Sequence, residues 1–376
     1  MILAIDVGGT KLAAGLVSPD GTVTRSGRVP TPQNADAHTL WQTLLTLIEP
    51  LSGGMEGVDG VGVGCGGPMT WPDGEVSPLN IPGWRAFPLR ARLARLFPGV
   101  PVRLHNDAVC LAVAEHWKGA GQGAADMLGM VVSTGVGGGL ILGGRLVDGR
   151  TGNAGHIGHM VVEPEGGPSC SCGGHGCLEA VARGPALVTW ALSQGWTPTT
   201  VPEPASRPVP GRASRAGPGV TPPPGPEPAG TSARTGTTAA AVRATGEAVA
   251  LDATPYREEG VATARMLAAD ARAGDPVAVR AMRRAGRALG IAIANATHLC
   301  DLDLVTIGGG LSQAGEPLFG PLDQALRAHA RMSFARRVKV LPAALGQEAG
   351  LIGAAALILA ETTYWPTPGQ PTPTPS

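Results

Sequence analysis

Three thiols fall within eight residues, in the run Cys170-Ser171-Cys172-Gly173-Gly174-His175-Gly176-Cys177. Thiolates at spacings of two and five, joined by glycines that let the chain turn tightly, can wrap one small soft ion, and zinc suits such a set. Zinc needs a fourth donor. His159, eleven residues upstream, and His175, inside the loop, are the candidates, and His159 is favoured because it closes the shaped run Gly155-His156-Ile157-Gly158. The expected metal set is therefore His159, Cys170, Cys172 and Cys177. A closed site of this kind pins its loop and orients the second ring nitrogen of a ligating histidine. Cys65, Cys110 and Cys300 are scattered in apolar contexts, a pattern that suits a reducing compartment and a cytoplasmic chain better than a disulfide framework.

A second chemistry is acid–base. Asp107 follows His105 and Asn106 at the end of the apolar run 100–104. A carboxylate there can take a proton from a substrate hydroxyl, and Asn106 can hold a neighbouring hydroxyl by donating and accepting. Both residues equally suit the cap of a helix starting at Ala108. The third chemistry is phosphate binding. Asp6-Val7-Gly8-Gly9-Thr10-Lys11, Ser133-Thr134-Gly135-Val136-Gly137-Gly138-Gly139 and Ile307-Gly308-Gly309-Gly310-Leu311-Ser312 each place glycines and a hydroxyl at the end of an apolar strand. Backbone N–H groups can approach phosphates closely there, and Asp6 could hold Mg²⁺ through water. None is a Walker A motif and none is a GxGxxG fingerprint. Three such clusters in one chain point to a nucleotide lying in a cleft between two domains.

These groups need elements to hold them. Residues 2–5 read as a strand, Gly8-Gly9 as a hairpin turn, 12–17 as the returning strand, and 18–21 as a turn into a third. The chain thus opens with an antiparallel meander rather than a βαβ unit. Residues 38–51 read as a helix with Leu40, Leu44, Leu47 and Ile48 on one face, followed by strands 58–63 and 100–104 and helices 89–96 and 108–117. A second unit starts near Gly119 with strand 127–133, a glycine turn at Gly137–Gly139 and strand 140–142. A glycine turn between apolar strands therefore occurs twice, as in an internal duplication. Residues 276–299 are the strongest helical pattern. Strand 304–307 should run into a helix whose N-terminus carries Gly309 and Gly310. Helices 241–250, 260–273, 322–331 and 350–361 and strand 338–341 complete the reading. Residues 198–228 are dense in Pro, Gly, Ser, Thr and Ala without a period, so about 197–240 is expected to be a disordered insertion and 366–376 a frayed tail.

The chain of 376 residues is long enough for two domains, and its 57 glycines and 35 prolines are about twice the usual share. Lysine plus arginine equals aspartate plus glutamate, at 29 each, so the chain lacks the cationic bias of a nucleic-acid or anionic-membrane binder. Asp6 and the glycines after it interrupt any signal peptide, and the apolar run 351–360 is half the length of a membrane span.

Taken together, these motifs resemble the ROK family of sugar kinases and related repressors, within the actin-like ATPase superfamily. Asp6 to Lys11 resembles the family's first phosphate motif, Ser133 to Gly139 its second, and Gly308 to Ser312 the nucleoside end of the site. Leu79-Asn80-Ile81-Pro82-Gly83-Trp84 resembles the segment whose asparagine, here Asn80, touches the sugar. Asn106-Asp107 matches the sugar-binding asparagine and catalytic aspartate. Gly155 to His159 falls on the family's Glu-x-Gly-His segment, and Cys170 to Glu179 matches Cys-x-Cys-Gly-x-x-Gly-Cys-x-Glu. The resemblance implies a two-domain α/β fold of the actin-like (ribonuclease H-like) kind with an interdomain cleft. The first domain would cover 1–118, completed by a C-terminal helix 348–362, and the second 119–345, with the zinc segment at 159–177. It implies ATP, Mg²⁺ and Zn²⁺, with ATP held by Asp6, Gly8, Gly9, Thr10, Lys11, Thr134, Gly135, Gly137, Gly309 and Gly310. The sugar would be held by Asn80, Asn106, Asp107, His156, His159 and Glu179, with Asp107 catalytic. The expected activity is phosphorylation of a hexose or N-acetylhexosamine, at O6, by a homodimer or homotetramer. The alternative is a sugar sensor or transcriptional regulator of the same family, although the first phosphate motif begins too early for the repressors' N-terminal DNA-binding domain. Many family glucokinases carry Glu where this chain has His156, and the Gly-His-Ile-Gly-His form resembles some N-acetylmannosamine kinases.

Overall fold

The structure, a computed structural model, describes residues 1–52, 57–199 and 262–365. The expected insertion from residue 200 onward, helix 241–250, the start of helix 260–273 and the tail 366–376 lie outside the described residues.

Two five-stranded sheets share one plan. In the first, β1 (Ile2–Val7), β2 (Lys11–Val17) and β3 (Val23–Pro30) form the expected antiparallel meander, α1 (Ala37–Ser52) follows, and β4 (Gly60–Cys65) lies parallel to β1. Helix α2 (Leu89–Leu96) then leads to β5 (Val102–Asn106), parallel to β4, giving the order β3-β2-β1-β4-β5. Helix α3 (Asp107–Lys118) leads into β6 (Met127–Val132), β7 (Val136–Leu142) and β8 (Arg145–Leu146), a second antiparallel meander. After it come a 3₁₀ turn at Ile157–His159 and helices α4 (Leu178–Ala182), α5 (Gly184–Ser193), α6 (Ala264–Arg272) and α7 (Pro276–Cys300). Strand β9 (Leu304–Gly308), helix α8 (Glu316–His329), strand β10 (Lys339–Pro342) and helices α9 (Ala349–Leu359) and α10 (Glu361–Tyr364) end the described chain. The second order, β10-β9-β6-β7-β8, repeats the first strand for strand.

Local chemistry explains the main elements. Leu40, Leu44, Leu47 and Ile48 bury one face of α1 against β2 and β3. Helix α7 starts where Asp275 accepts hydrogen bonds from the N–H groups of Val277 and Ala278 at 2.9 and 2.7 Å, with Pro276 in the first turn. No helix among the described residues is long and apolar enough to cross a membrane.

Gly137–Gly139 do not make a turn. The turn is Ser133–Gly135, and the three glycines lie inside β7. Helix α3 packs across this strand: a Cβ on Gly137 would sit 2.7 Å from the Ala108 Cβ, and one on Gly139 2.8 Å from the Ala112 Cβ. The glycines give a helix its seat. Helix α9 is seated on the first sheet in the same way, where a Cβ on Gly62 of β4 would overlap the carbonyl oxygen of Ala354. The helix that follows each sheet's last strand thus packs mainly on the other sheet, and α3 and α9 meet where Gly353 touches the Cys110 carbonyl.

The third glycine cluster also differs from expectation. Beyond β9 the chain forms a 3₁₀ turn at Gly310–Ala314, and α8 begins at Glu316, six residues before the predicted 322. Gly315, at φ +68°, is left-handed and separates the two. Pro317 lies in the first turn of α8, where its missing N–H costs nothing, and Gly320-Pro321 masks the helix in the sequence.

Candidate active site

Strand β4 separates two carboxylates: Asp6 pairs with Gly64 in the β1–β4 ladder, and Asn106 pairs with Cys65 in the β4–β5 ladder, with Asp107 next. Asn106 is extended and caps α3, its Oδ1 accepting the Ala108 N–H at 3.0 Å, while Asp107 Oδ1 accepts the same N–H at 2.8 Å. The cap is real, and it directs the rest of the asparagine. With Oδ1 engaged, the Nδ2 amide faces Gly67, where an added Cβ would lie 3.0 Å from Nδ2 and 3.1 Å from His156 Cε1. His156 Nε2 is buried and has no hydrogen-bond partner. Burial, with His159 alongside, lowers the His156 pKa, which favours the neutral ring. An orphaned imidazole nitrogen beside an amide N–H suits a ligand rich in hydroxyls.

Asp107 is pushed up to about 7, first by burial, then by the charges of Asp6 and Glu179. Burial also raises Asp6, and Lys11 partly offsets the rise. Two desolvated carboxylates that repel each other suit a site visited by a cation, and a carboxyl near 7 suits a proton acceptor.

Asn80 lies against the first hairpin turn. A Cβ on Gly9 would fall on its side chain, and one on Gly66 would lie 3.3 Å from its Oδ1. The turn's carbonyls are held from behind: Thr31 Oγ1 donates to Gly8 O at 2.6 Å, Gln33 Nε2 to Gly9 O at 3.0 Å, and Thr31 N to Thr10 O at 3.0 Å. Thr10 and Lys11 stay exposed. In the second turn Thr134 is exposed, Ser133 N donates to Gly135 O at 2.9 Å, and Glu179 Oε2 accepts the Val136 N–H at 2.9 Å. Glu179, expected from the resemblance as a sugar contact, also fastens the second turn. Gly309, at φ +89°, lies beside the end of β6, where a Cβ would overlap the Val132 carbonyl, and Ser312 Oγ donates to its carbonyl at 2.8 Å. Gly310 opens the 3₁₀ turn with nothing against it.

The donor atoms of His159, Cys170, Cys172 and Cys177 all lie within 4.8 Å of one another. His159 Nδ1 is 3.6 Å from Cys170 Sγ, and Cys172 Sγ is 3.8 Å from Cys177 Sγ. The two short separations match the edges of a tetrahedron that metal bonds of about 2.0–2.3 Å to zinc would give, so the four residues could hold such an ion. The fourth donor grouped with the thiols is His159 rather than His175.

Sequence reading passed over one buried acid on α3. Glu115 accepts from the N–H groups of Ala120, Ala344 and Leu345 at 2.8, 3.0 and 2.9 Å, which fixes the segment before α9. The available signal was an acid directly after the apolar run 108–114 of that helix.

Comparison with known proteins agrees with this geometry. The pattern defining the ROK family matches residues 2–209 and 233–361. A glucokinase of Halalkalibacterium halodurans is 32% identical over 361 residues, covering 95% of this chain and 94% of that protein. An N-acetylmannosamine kinase of Escherichia fergusonii is 40% identical over 196 residues, covering 51% of this chain and 64% of that protein. The crystal structure of a ROK family glucokinase from Streptomyces griseus with glucose and AMPPNP is 30% identical and aligns with a TM-score of 0.70, over 95% of this chain and 98% of that one. The repeated sheets are the actin-like ATPase fold, and the chain belongs to the ROK family.

Proposed function

We propose that the protein transfers the γ-phosphoryl group of ATP to a hydroxyl, O6, of a hexose or N-acetylhexosamine. The observation that carries this reading is Asp107, held near neutrality beside Asn106 and the unpartnered His156 nitrogen, in a chain similar along its length to a glucokinase. Asp107 accepts the proton of the sugar hydroxyl as its oxygen bonds to the γ-phosphorus and the bond to the ADP oxygen breaks. Asn80, Asn106, His156, His159 and Glu179 hold the ring. Thr10, Thr134, Lys11 and the glycines Gly8, Gly9, Gly135, Gly309 and Gly310 line the phosphates and nucleoside; Gly137 acts indirectly, as a seat for α3. Asp6 would sit beside Mg²⁺ entering with ATP, which would offset phosphate charge, and His159, Cys170, Cys172 and Cys177 would hold zinc, which would stiffen the loop that carries His159 and Glu179. A sugar site built partly from each sheet lets closure exclude water, so that ATP is spent on the sugar rather than on hydrolysis. Use of ATP and closely spaced free thiols support a cytoplasmic location.

His156 suits either glucose or a 2-acylamino sugar. The test is ADP release with ATP and Mg²⁺ across glucose, N-acetylglucosamine, N-acetylmannosamine, mannose and fructose. Turnover is expected with glucose or a 2-acylamino sugar. Sugar binding without ADP release from any of the five would instead make the chain a sensor.

A further inference from the structure

His105 sits directly before the Asn106–Asp107 corner, and its imidazole turns into the protein, with the side chain 1% exposed. Nδ1 accepts the backbone N–H of Asn106 at 2.8 Å, which fixes the tautomer. Nε2 therefore carries the hydrogen and donates it to Asp148 Oδ1 at 2.9 Å. The other oxygen of Asp148 accepts the indole N–H of Trp365 at 2.6 Å. One carboxylate, 17% exposed, thus joins β5 of the first sheet to the residue after α10.

Asp148 belongs to the 147–156 segment that follows β8 of the second sheet. The same segment is tied down again at Asn153, whose Oδ1 accepts from Met69 N at 3.1 Å and whose Nδ2 donates to Met69 O at 2.9 Å. It ends at His156, which faces Asn106 across Gly67.

We propose that His105 and Asp148 are positioning residues, which hold the Asn106–Asp107 corner and the His156 segment in one frame. The inference rests on reading Asn106, Asp107 and His156 as the sugar-facing groups. His105 acts through the Asn106 backbone, and Asp148 acts through His105 and through its own segment. Asp148 is not among the charges that shift Asp107, so its influence is geometric. Displacing a reacting group by about 1 Å can cost as much as 10²-fold in rate, so a modest loosening should show in turnover.

The test uses the full chain and two variants. Asp148→Ala removes the shared acceptor, and His105→Phe keeps a ring in the space beside Trp71 while removing both hydrogen bonds. In each, kcat is expected to fall about tenfold, with the KM for ATP unchanged and the acid limb of the pH–rate profile unmoved. Trp365→Phe, which leaves the His105–Asp148 bond intact, should stay within about threefold of wild type. Melting temperatures identify which variants fold, and either folded variant carries the test. Wild-type kcat in a folded Asp148→Ala or His105→Phe enzyme would overturn the proposal, as would a shifted acid limb, which would mean that Asp148 acts by charge. If the wild type releases no ADP with any sugar, the kinase reading fails, and positioning is judged by hydrogen exchange at the Asn106 amide. Faster exchange there in His105→Phe supports it, and unchanged exchange overturns it.

Discussion

β1 and β6 hold the same place in their sheets, and their hairpins close on equivalent last pairs, Val7 with Leu12 and Val132 with Val136. One residue before that pair β1 carries Asp6, whereas β6 carries Val131. The helices that follow the last strands, α3 and α9, begin with Asp107 in the first case and Ala349 in the second. The backbone plan is repeated, but the acids are present in one copy only. Packing maintains the repeat, because each helix needs glycines in the opposite sheet to seat on. Proton transfer needs only one copy, which leaves the second free to hold other groups. The connection between β8 and β9 accordingly carries the Cys/His cluster and four described helices, where the first copy has, among the described residues, α1 alone between β3 and β4.

The strongest way to break this contrast is Asp107→Asn. It removes the proton acceptor and keeps the shape, so kcat should fall by about 10²–10⁴ while sugar affinity, measured calorimetrically without ATP, changes little. Near-normal turnover would show that the acid in the first copy is a cap and nothing more. The zinc segment comes next in size. Wild-type protein should contain about one zinc per chain by elemental analysis. Cys172→Ser should lose it and raise the sugar KM by about tenfold or more, since the loop orients His159 and Glu179. Full activity in metal-free protein would detach the segment from the sugar site.

The repeat itself can be tested through stability. Gly62→Ala and Gly139→Ala each force a methyl group into a helix seat, and overpacking of this kind costs about 1–3 kcal/mol. Gly62→Ala should cost more in urea unfolding, because the methyl would meet a backbone carbonyl of α9, whereas in Gly139→Ala it meets mainly the side chain of Ala112 at 2.8 Å and the Val109 backbone at 2.9 Å. Equal stability of both variants with wild type would mean that the close approaches do not hold the two copies together.

Those seats also mark the limit of what the sequence reveals. The period of Leu40, Leu44, Leu47 and Ile48 places α1 without help, and the cluster of His159, Cys170, Cys172 and Cys177 announces itself because its members are close in sequence. Gly137–Gly139 read equally well as a turn or as a strand under a helix, and the deciding residues, Ala108 and Ala112, lie on a helix 29 and 27 positions before the glycines they touch. Helix α8 was half hidden by Gly320-Pro321, and α4 and α5 lack a long apolar period of their own. Asp107 was legible as a strand-end acid, but its coupling to Asp6 depends on the sheet order. His105 and Glu115 were not legible as supports, because the deciding partners, Asp148 and Ala344, lie 43 and 229 residues away.

The smallest effect, and the one that most directly measures how the first copy uses its two acids, is the pH dependence. Asp107 must be ionised to accept a proton, and its pKa is raised to about 7 by burial first and then by Asp6 and Glu179. The kcat/KM of the wild type should therefore rise with pH and level off above about 7. Removing a neighbouring negative charge makes the ionised form of Asp107 easier to reach, so Asp6→Asn should move that limb to lower pH, even if the plateau also drops. Glu179→Gln should move it the same way by less, because Glu179 is the weaker of the two charges. Both shifts should shrink in high salt less than those of exposed charges would, since the groups are desolvated. A limb that stays in place in Asp6→Asn would show that burial alone sets the proton affinity. The two carboxylates flanking β4 would then act independently, and Asp6 would serve the phosphates without tuning the base.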